Sequence, residues 1–548
     1  MAVIADNKNR LIVLALCQYK FNIKKLMWEF NQKTVILCIQ IMSIMSFNKM
    51  IRFFAALAGV IVLYGCQGGK AEKSAEVFLP EGRADTVLFK QAPFEWHITP
   101  RYDYSKVFVT KLFLCQAEFD KEYLGAYKMR DNGQSTVYMT CEQALEAIKG
   151  MDAVSPGLQK IVYLVGWQYN GHDSKYPAFF GGNESIKRPG DDDPLDSVRW
   201  LMREAKKYNT AVSLHINMFD AFEDSPAFQK YKEADVLARE KDGSYIFGDW
   251  GYKVSYAAEW EKGLSKWRID SLCSLLPIKE AGTIHIDAFH NKVPRPRMEN
   301  GKPVIRMESP ISPWHGHTAE QDQKGKENIV KYLDSKGIDV TTEGAEMGMG
   351  KITDGWFPMF WHYNSLDKAM SLTASQACGG NIYGNIRAFG RSINGEAIFR
   401  DSQTVEEGVA RFKNEFCKKT LITLYLNTFS RKALVTDESG SALGIFEDGV
   451  RTQMKDNILT VAKDGEILSD EKDVFIPALW MGNSSVIAFS ENGYDKKTWT
   501  VPEGVKLSGR AEGWILDASG RNEFKNFEVK RGKVTLSLEP GEMVLITD

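Results

Sequence analysis

Residues 159–167, QKIVYLVGW, form a run of apolar and β-branched side chains that is typical of a strand buried on both faces. Comparable runs follow at residues 211–217 (AVSLHIN), 282–289 (GTIHIDAF) and 338–343 (IDVTTE), and helical patterns lie between them. Repeated strand and helix units of this kind indicate a parallel sheet covered by helices. Over residues 136–432 we therefore predict an α/β fold with a (β/α)8 TIM-type barrel, and a doubly wound sheet as the second candidate.

Local signals place the helices of this region. Asp193 and Pro194 are an N-cap and a first helical residue, and they predict a helix that continues to residue 208. Further helices are predicted over residues 258–276 and 321–335.

Two regions with strand patterns flank the predicted barrel. Residues 67–135 hold a polar tether and short alternating stretches, which predict a small N-terminal β-rich unit. Residues 433–548 lose the helical period and predict a C-terminal β-sandwich. Within it, Lys533–Leu538 and Met543–Thr547 flank the turn residues 539–542, so we expect these two segments to pair as a hairpin.

Residues 1–65 have the pattern of a signal with an upstream segment. Lys49 and Arg52 mark the start of residues 50–66, MIRFFAALAGVIVLYGC, whose apolar run is shorter than the roughly 20 residues of a membrane span. The run ends in a lipobox and resembles the signal of bacterial lipoproteins, in which the Cys, here Cys66, carries the lipid. We therefore expect translation to start at Met50, and lipid anchoring in a bacterial cell envelope, at the outer membrane with a periplasmic or surface face.

Composition excludes several classes of protein. The 548 residues contain 69 Lys and Arg against 71 Asp and Glu, and a net charge of −2 gives no electrostatic basis for nucleic-acid binding. The eight Cys have no C-x-x-C spacing, which argues against a zinc site or a disulfide framework. Removal of residues 1–65, with eight basic and two acidic residues, leaves 483 residues with a net charge of −8.

Polar side chains follow each predicted strand at the edge where barrels of this type carry their sites. Seven of the eight His lie between residues 172 and 362, so the imidazoles concentrate in the region of these strand ends. His285 is interpreted as a buried, hydrogen-bonded side chain. The groups expected at the strand ends are His172, Asp173, His215, Asn217, Asp287, His290 and Glu343.

Asp287 and Glu343 carry the chemical hypothesis. Each ends a run of strand formers, so the sheet fixes its backbone at the mouth of the barrel. Two carboxyl groups held in this way are what glycoside hydrolysis requires, one as nucleophile and one as acid and base. Glu346 is the rival for the acid/base role. The alternative is that either acid is an ion-pair partner or a helix cap.

Aromatic residues crowd the same loops, and aromatic rings stack on the apolar faces of sugars while polar neighbours bind the hydroxyls. About half of these rings are expected to be core. The expected substrate contacts are Trp167, His172, Asp173, His215, Asn217, Trp250, Tyr256, His290 and Trp356.

Short blocks in this order resemble glycoside hydrolase family 101, the endo-α-N-acetylgalactosaminidases, and the related family 129 of exo-acting enzymes is close. The blocks are residues 166–174, 215–222, 250–256, 284–289 and 342–343. The resemblance implies a retaining mechanism with Asp287 as nucleophile and Glu343 as acid/base, and it implies that His172 and Asp173 bind sugar hydroxyls. The sequence departs from the family after Ser174, where Lys175, Tyr176 and Pro177 replace an acid-containing segment.

The resulting prediction is a retaining enzyme that cleaves α-linked N-acetylgalactosamine from mucin-type O-glycans without a cofactor or metal. Its partners are a glycan or glycoprotein substrate and, through the N-terminal lipid alone, the membrane. Two alternatives stay open. One is an exo-α-N-acetylgalactosaminidase or another α-glycosidase such as an α-galactosidase, and the other is a lipid-anchored, non-catalytic glycan-binding protein.

Overall fold

The computed structural model describes residues 78–90, 95–119, 131–247, 251–289, 295–299, 302–306, 311–343, 355–363, 366–378, 381–382, 384–391, 394–395, 397–507 and 509–548. These residues all belong to the unit Lys73–Asp548. Cys66 and the predicted signal lie outside them. Within the described ranges, no helix is long and apolar enough to cross a membrane.

The strands up to the end of the predicted barrel are β1 (Ala84–Leu88), β2 (Phe108–Phe113), β3 (Cys115–Phe119), β4 (Asp131–Val137), β5 (Lys160–Val165), β6 (Thr210–Asn217), β7 (Asp220–Ala221), β8 (Tyr252–Lys253), β9 (Thr283–Asp287), β10 (Arg295–Glu299), β11 (Lys302–Arg306), β12 (Asp339–Thr342), β13 (His362–Tyr363), β14 (Asn381–Ile382) and β15 (Asn394–Gly395).

The C-terminal strands are β16 (Arg431–Asp437), β17 (Ala442–Phe446), β18 (Val450–Lys455), β19 (Ile458–Lys463), β20 (Glu466–Ser469), β21 (Asp473–Pro477), β22 (Ser485–Ser490), β23 (Tyr494–Thr500), β24 (Arg510–Asp517), β25 (Gly520–Lys530), β26 (Lys533–Leu538) and β27 (Met543–Thr547).

The α-helices are α1 (Cys141–Val154), α2 (Pro194–Glu204), α3 (Phe228–Glu233), α4 (Tyr256–Glu261), α5 (Leu264–Leu275), α6 (Ile278–Ala281), α7 (Ala319–Ser335), α8 (Leu366–Ala369), α9 (Val405–Glu415) and α10 (Leu421–Leu426). Short 3-10 helices cover Glu184–Ile186, Ala205–Tyr208, Pro313–His315, Gln376–Cys378, Gly384–Phe389 and Leu479–Met481, and a π-helical turn covers Phe416–Thr420.

Capping explains where the helices begin and end. Asp193 caps α2 and Pro194 is its first residue, which confirms the predicted start. Helix α7 begins two residues earlier than predicted because Thr318 and Gln321 form a capping box. The single helix predicted over residues 258–276 is two helices, since Gly263 adopts a φ of 73° between α4 and α5.

A parallel sheet with the order β12-β9-β6-β5-β2-β15 contains the four apolar runs identified in the sequence. Strand β2 corrects the predicted organisation: it lies within the proposed N-terminal unit, yet it pairs in parallel with β5 over six residues. Thr110 and Lys111 are polar, so the sequence of β2 has no continuous apolar run. All six of its residues are nevertheless buried.

The parallel arrangement continues beyond β12 through a bridge between Thr342 and Phe360 and through the pair β13 and β14. In the described ranges, β14 is not linked to β15, so closure of an eight-stranded barrel stays a prediction. The fold is mixed α/β, with this parallel sheet and a large antiparallel sheet.

The antiparallel sheet has thirteen strands, β1 and β16 to β27. Strand β1 comes from the predicted N-terminal unit and pairs with β16, so that region contributes to both large sheets. The predicted hairpin of β26 and β27 is wrong. Strand β26 pairs with β23 and β25, whereas β27 pairs with β22 and β24. Their buried side chains, such as Leu536 and Val544, meet in one core cluster because the two strands face each other instead of pairing.

Candidate active site

Two carboxyl groups meet at the C-terminal edge of the parallel sheet. Asp287 is the last residue of β9, and Glu343 directly follows β12. The two strands are neighbours in parallel register, with Thr342 opposite Ile286, so the next residue of each strand lies at the same level. The Asp287 carboxylate is close enough to act on the charge of Glu343. The strand ends therefore hold the two acids together, as the sequence predicts.

Burial and charge set the protonation of Glu343. Burial in the site is the largest effect, the Asp287 carboxylate adds to it, and together they raise the pKa of Glu343 to about 7. The Lys111 ammonium and the His215 ring act in the opposite direction. A glutamic acid in this state holds a proton near neutral pH, which suits a general acid.

Lys111 is a site residue that the sequence reasoning missed. It lies on β2, is 2% exposed, and places its Nζ 3.4 Å from Glu343 Oε1. The same ammonium lies 4.3 Å from the centre of the Trp361 ring, a cation–π contact. A lysine within a strand of buried residues was the available signal, because a buried lysine requires a partner.

Imidazole groups line the Asp287 side of the site. His215 Nε2 lies 3.4 Å from Asp287 Oδ2, and the His172 ring meets the His215 ring edge-on at 5.1 Å. His172 Nδ1 lies 3.5 Å from Asp173 Oδ1. The metal-ligating atoms of His172, His215 and Asp287 all lie within 4.8 Å of one another, so this set is able to hold a metal ion.

A column of polar groups runs inside the sheet beneath these imidazoles. His285 is fully buried, stacks on His215 at 5.3 Å and contacts Thr341 Oγ1 through Nδ1 at 3.0 Å. This placement confirms that His285 is a buried, hydrogen-bonded side chain. The column continues through hydroxyl groups to a carboxylate at the opposite end of β12, in the order Thr341, Tyr163, Thr283, Tyr104 and Asp339.

A comparison with known protein families bears on this geometry. Residues 122–300 match the family model described as endo-alpha-N-acetylgalactosaminidase. That model is glycoside hydrolase family 101. The match confirms the resemblance seen in the sequence; it includes Asp287 and ends before Glu343.

Similar solved structures include alpha-N-acetylgalactosaminidase NagBb from Bifidobacterium bifidum in complex with Gal-NHAc-DNJ. It is 11% identical with a TM-score of 0.41, and the alignment covers 66% of this chain and 58% of NagBb. This chain therefore spans less than two thirds of NagBb. An alpha-amylase from Geobacillus thermoleovorans is 10% identical with a TM-score of 0.36, over 82% of this chain and 99% of the amylase. The GH36 alpha-galactosidase AgaB from Geobacillus stearothermophilus is 12% identical with a TM-score of 0.36, over 81% and 55%.

Several residues expected to contact substrate are buried instead of lining the site. Trp167 and Tyr256 have no exposed surface, so neither ring offers a face to a sugar. Trp167 instead donates to the backbone carbonyl of His215 at 3.2 Å. Asn217 is 1% exposed and accepts from the N–H groups of residues 219 and 220. Trp356 is 5% exposed and stacks on His97. These four residues correct the prediction, because the strand-end pattern does not distinguish a supporting side chain from a contacting one.

The remaining predicted residues divide into three groups, of which Asp173 and His215, 5% and 3% exposed, form the buried one. The side chains of His172, Asp287 and Glu343 are partly exposed, at 16%, 18% and 22%, and therefore border the opening of the site. Trp250, His290 and the rival acid Glu346 lie outside the described residues.

Proposed function

We propose that the chain is a retaining glycoside hydrolase that cleaves α-linked N-acetylgalactosamine from mucin-type O-glycans. The matching family model is described as endo-alpha-N-acetylgalactosaminidase. The observation that carries the proposal is the pair Asp287 and Glu343. Adjacent strands fix both residues, and the pKa of Glu343 is about 7. The family match over residues 122–300 supports the same reaction class.

The separation of the two carboxyl groups favours retention. Retaining glycosidases hold them about 5–5.5 Å apart, whereas inverting enzymes leave about 6.5–9.5 Å for a water molecule between them. Asp287 and Glu343 stand at the same level on neighbouring parallel strands, and neighbouring strands lie about 4.8 Å apart, which agrees with the shorter of the two separations. A direct attack by one carboxylate fits this spacing better than attack by an interposed water.

In the first step, Asp287 attacks the anomeric carbon while Glu343 gives its proton to the glycosidic oxygen, so the bond to the leaving group breaks. The product of this step is a glycosyl-enzyme. In the second step, the ionised Glu343 takes a proton from water, whose oxygen displaces Asp287 from the anomeric carbon. Lys111, 3.4 Å from Glu343, stabilises the carboxylate that forms between the two steps.

Lipid anchoring at Cys66 in a bacterial cell envelope is part of the proposal. It rests on the basic residues, apolar run and lipobox of residues 49–66. Replacement of Cys66 by Ala should move the protein from the membrane fraction to the soluble fraction of the expressing cells. Retention of the variant in the membrane fraction argues against the anchor and leaves the catalytic proposal intact.

A panel of aryl α-glycosides tests the reaction and the substrate together. The substrates are aryl α-N-acetylgalactosaminide, aryl α-galactoside and the aryl α-glycoside of Galβ1-3GalNAc, with the anomer of the first sugar product followed by proton NMR. We expect release of the disaccharide as its α-anomer. Preference for the monosaccharide indicates exo action, preference for α-galactoside indicates a different α-glycosidase, and binding without hydrolysis indicates a glycan-binding protein. A β-anomer as first product excludes retention.

A further inference from the structure

Two imidazoles and one carboxylate converge at the edge of the site from three separate elements. His172 follows β5, His215 lies near the end of β6, and Asp287 ends β9. Their metal-ligating atoms all lie within 4.8 Å of one another. This set combines nitrogen and oxygen donors on backbone segments that the parallel sheet holds in place.

The spacing suits a tetrahedral metal ion. Zinc binds imidazole nitrogen and carboxylate oxygen at about 2.0–2.2 Å, which places two ligand atoms of a tetrahedron roughly 3.4 Å apart. His215 Nε2 and Asp287 Oδ2 are 3.4 Å apart. These two groups therefore have the separation of two zinc ligands, and a ligand atom of His172 lies within 4.8 Å of both.

The surroundings of the imidazoles match those of metal-ligating histidines. His172 Nδ1 lies 3.5 Å from Asp173 Oδ1, and a carboxylate beside the imidazole is common around metal-ligating histidines. The His215 ring is 3% exposed and stacks on His285, which restricts its rotation. The side chains of His172 and Asp287 are 16% and 18% exposed, so an ion has access to them from solvent.

Charge and donor type select the ion. Asp173 lies beside His172, Asp287 lies beside His215, and the Lys111 ammonium contacts Glu343. A set of two imidazoles and one carboxylate favours zinc and similar transition metals over calcium or magnesium, which prefer oxygen ligands.

We propose that His172, His215 and Asp287 bind one zinc-like divalent ion, and that this ion inhibits the enzyme. Bound zinc occupies the Asp287 oxygen that attacks the sugar, so metal and substrate compete for the same atom. The inhibitory consequence rests on the proposed function, whereas the metal site does not.

Calorimetric titration of the metal-free full chain with zinc chloride, without any sugar, tests the site. We expect one zinc ion per chain, and a loss of affinity of at least tenfold in each of Asp287→Asn, His215→Gln and His172→Gln. His315→Gln is the matched control: His315 stacks on His317 at 5.6 Å and faces Asp235 at 3.2 Å, outside the proposed site. This variant should bind zinc as the unmodified protein does.

Circular dichroism identifies any variant that fails to fold, and His172→Gln, which alters a loop side chain, then decides the result together with Asp287→Asn. Absence of zinc binding overturns the proposal. Zinc affinity unchanged by Asp287→Asn and His172→Gln also overturns it, as does loss of binding in His315→Gln alone.

Inhibition kinetics connect the site to the reaction. Zinc should raise the KM for an aryl α-N-acetylgalactosaminide and leave kcat unchanged, and a chelator should reverse the effect. A fall in kcat at constant KM contradicts competition at Asp287. A chain that hydrolyses none of the test glycosides but loses zinc affinity in the three variants rejects the proposed function and keeps the metal site.

Discussion

Strand β12 has an acid at each end, Asp339 buried and Glu343 half-buried, and the two acids have different partners. Asp339 begins the strand, and its carboxylate accepts from the backbone N–H groups of Arg101, at 2.9 and 3.1 Å, and Tyr102, at 3.4 Å. The hydroxyl of Tyr104 also donates to it at 3.2 Å. Glu343 follows the same strand, and its neighbours include a second carboxyl group, Asp287.

Burial raises the pKa of both acids, but the partners differ. Around Asp339, donors oppose the effect of burial and bind the ionised form. Beside Glu343, the Asp287 charge adds to burial and favours the protonated form. Burial acts in the same direction on both acids, so the difference between an acid that supports the fold and one that is available for proton transfer comes from their partners.

Removal of the Asp287 carboxylate should have the largest effect on activity. In Asp287→Asn, we expect kcat/KM for an aryl α-N-acetylgalactosaminide to fall by roughly 10³-fold or more, because the attacking oxygen is lost. The matched variant Asp339→Asn makes the same chemical change near the other end of the sheet and should retain most of the activity. Near-normal hydrolysis by Asp287→Asn contradicts the assignment of the nucleophile.

Glu343→Gln should show an effect that depends on the leaving group. General acid catalysis contributes about 10²–10⁴-fold, and a leaving group that departs without a proton does not need it. We expect a large loss of kcat/KM with an O-glycopeptide and a much smaller loss in the glycosylation step with a dinitrophenyl glycoside. Equal losses on both substrates indicate that Glu343 is not the proton donor.

Glu343 should also make the stability of the protein depend on pH. The pKa of Glu343 is about 7 in the folded protein, above its ordinary value of 4.5. The stability that Glu343 contributes is therefore fully present below pH 4.5 and is lost as the pH rises through 7. The loss amounts to about 3 kcal/mol of unfolding free energy. Urea denaturation at pH 5 and pH 8 measures it, and Glu343→Gln should remove this part of the dependence. An identical pH dependence in the variant contradicts the raised pKa.

Lys111→Met should shift the pH profile. The ammonium lowers the pKa of Glu343, so its removal should raise that pKa and move the alkaline limb of kcat/KM upward by about one pH unit or more. Lys160, buried beside Asp152 at the start of β5, provides the control, and Lys160→Met should leave the limb in place. A downward shift in Lys111→Met contradicts the proposed electrostatic role.

The smallest effect should be at the other end of β12. Asp339→Asn replaces one accepting oxygen with an amide donor opposite groups that only donate, and should lower the unfolding free energy by about 1–3 kcal/mol. Urea denaturation at pH 7 measures this change. An unchanged midpoint shows that these hydrogen bonds do not stabilise the fold.

The apolar runs at β5, β6, β9 and β12 were sufficient to predict a parallel sheet and to place Asp287 and Glu343 at strand ends, because a continuous apolar run marks a strand buried on both faces. The residues of β2 were instead predicted as part of a separate N-terminal β-rich unit, since Lys111 interrupts the apolar pattern. The reason for that lysine is Glu343, 232 residues further along the chain, and no local pattern encodes such a contact.

Contacts between residues that are distant in sequence also explain the other differences between the sequence predictions and the structure. Trp167 and Tyr256 have the composition of sugar-stacking residues, but packing from distant segments buries them fully. Likewise, β26 and β27 are adjacent in sequence and have the turn of a hairpin, yet their partners come from residues 485–530. Pairing with these strands of the larger sheet therefore determines the positions of β26 and β27, and the turn residues between them do not.

The polar column inside the sheet connects Asp339, at the start of β12, with His285. It determines which nitrogen of His285 carries the hydrogen. Asp339 faces N–H donors and is therefore an acceptor, so Tyr104 gives it its one hydroxyl proton. Each of the next hydroxyls also has a single proton. Thr283 must donate to Tyr104, Tyr163 to Thr283, and Thr341 to Tyr163.

Thr341 then has no proton left for His285, so His285 must carry a hydrogen on Nδ1 and donate it to Thr341. The tautomer of the ring that stacks on His215 is thus fixed by a carboxylate five contacts away. Because each hydroxyl in the chain has one proton to donate, the Asp339 carboxylate at one end of the sheet determines that Nε2 of His285, beneath the other end, carries no hydrogen in the neutral ring.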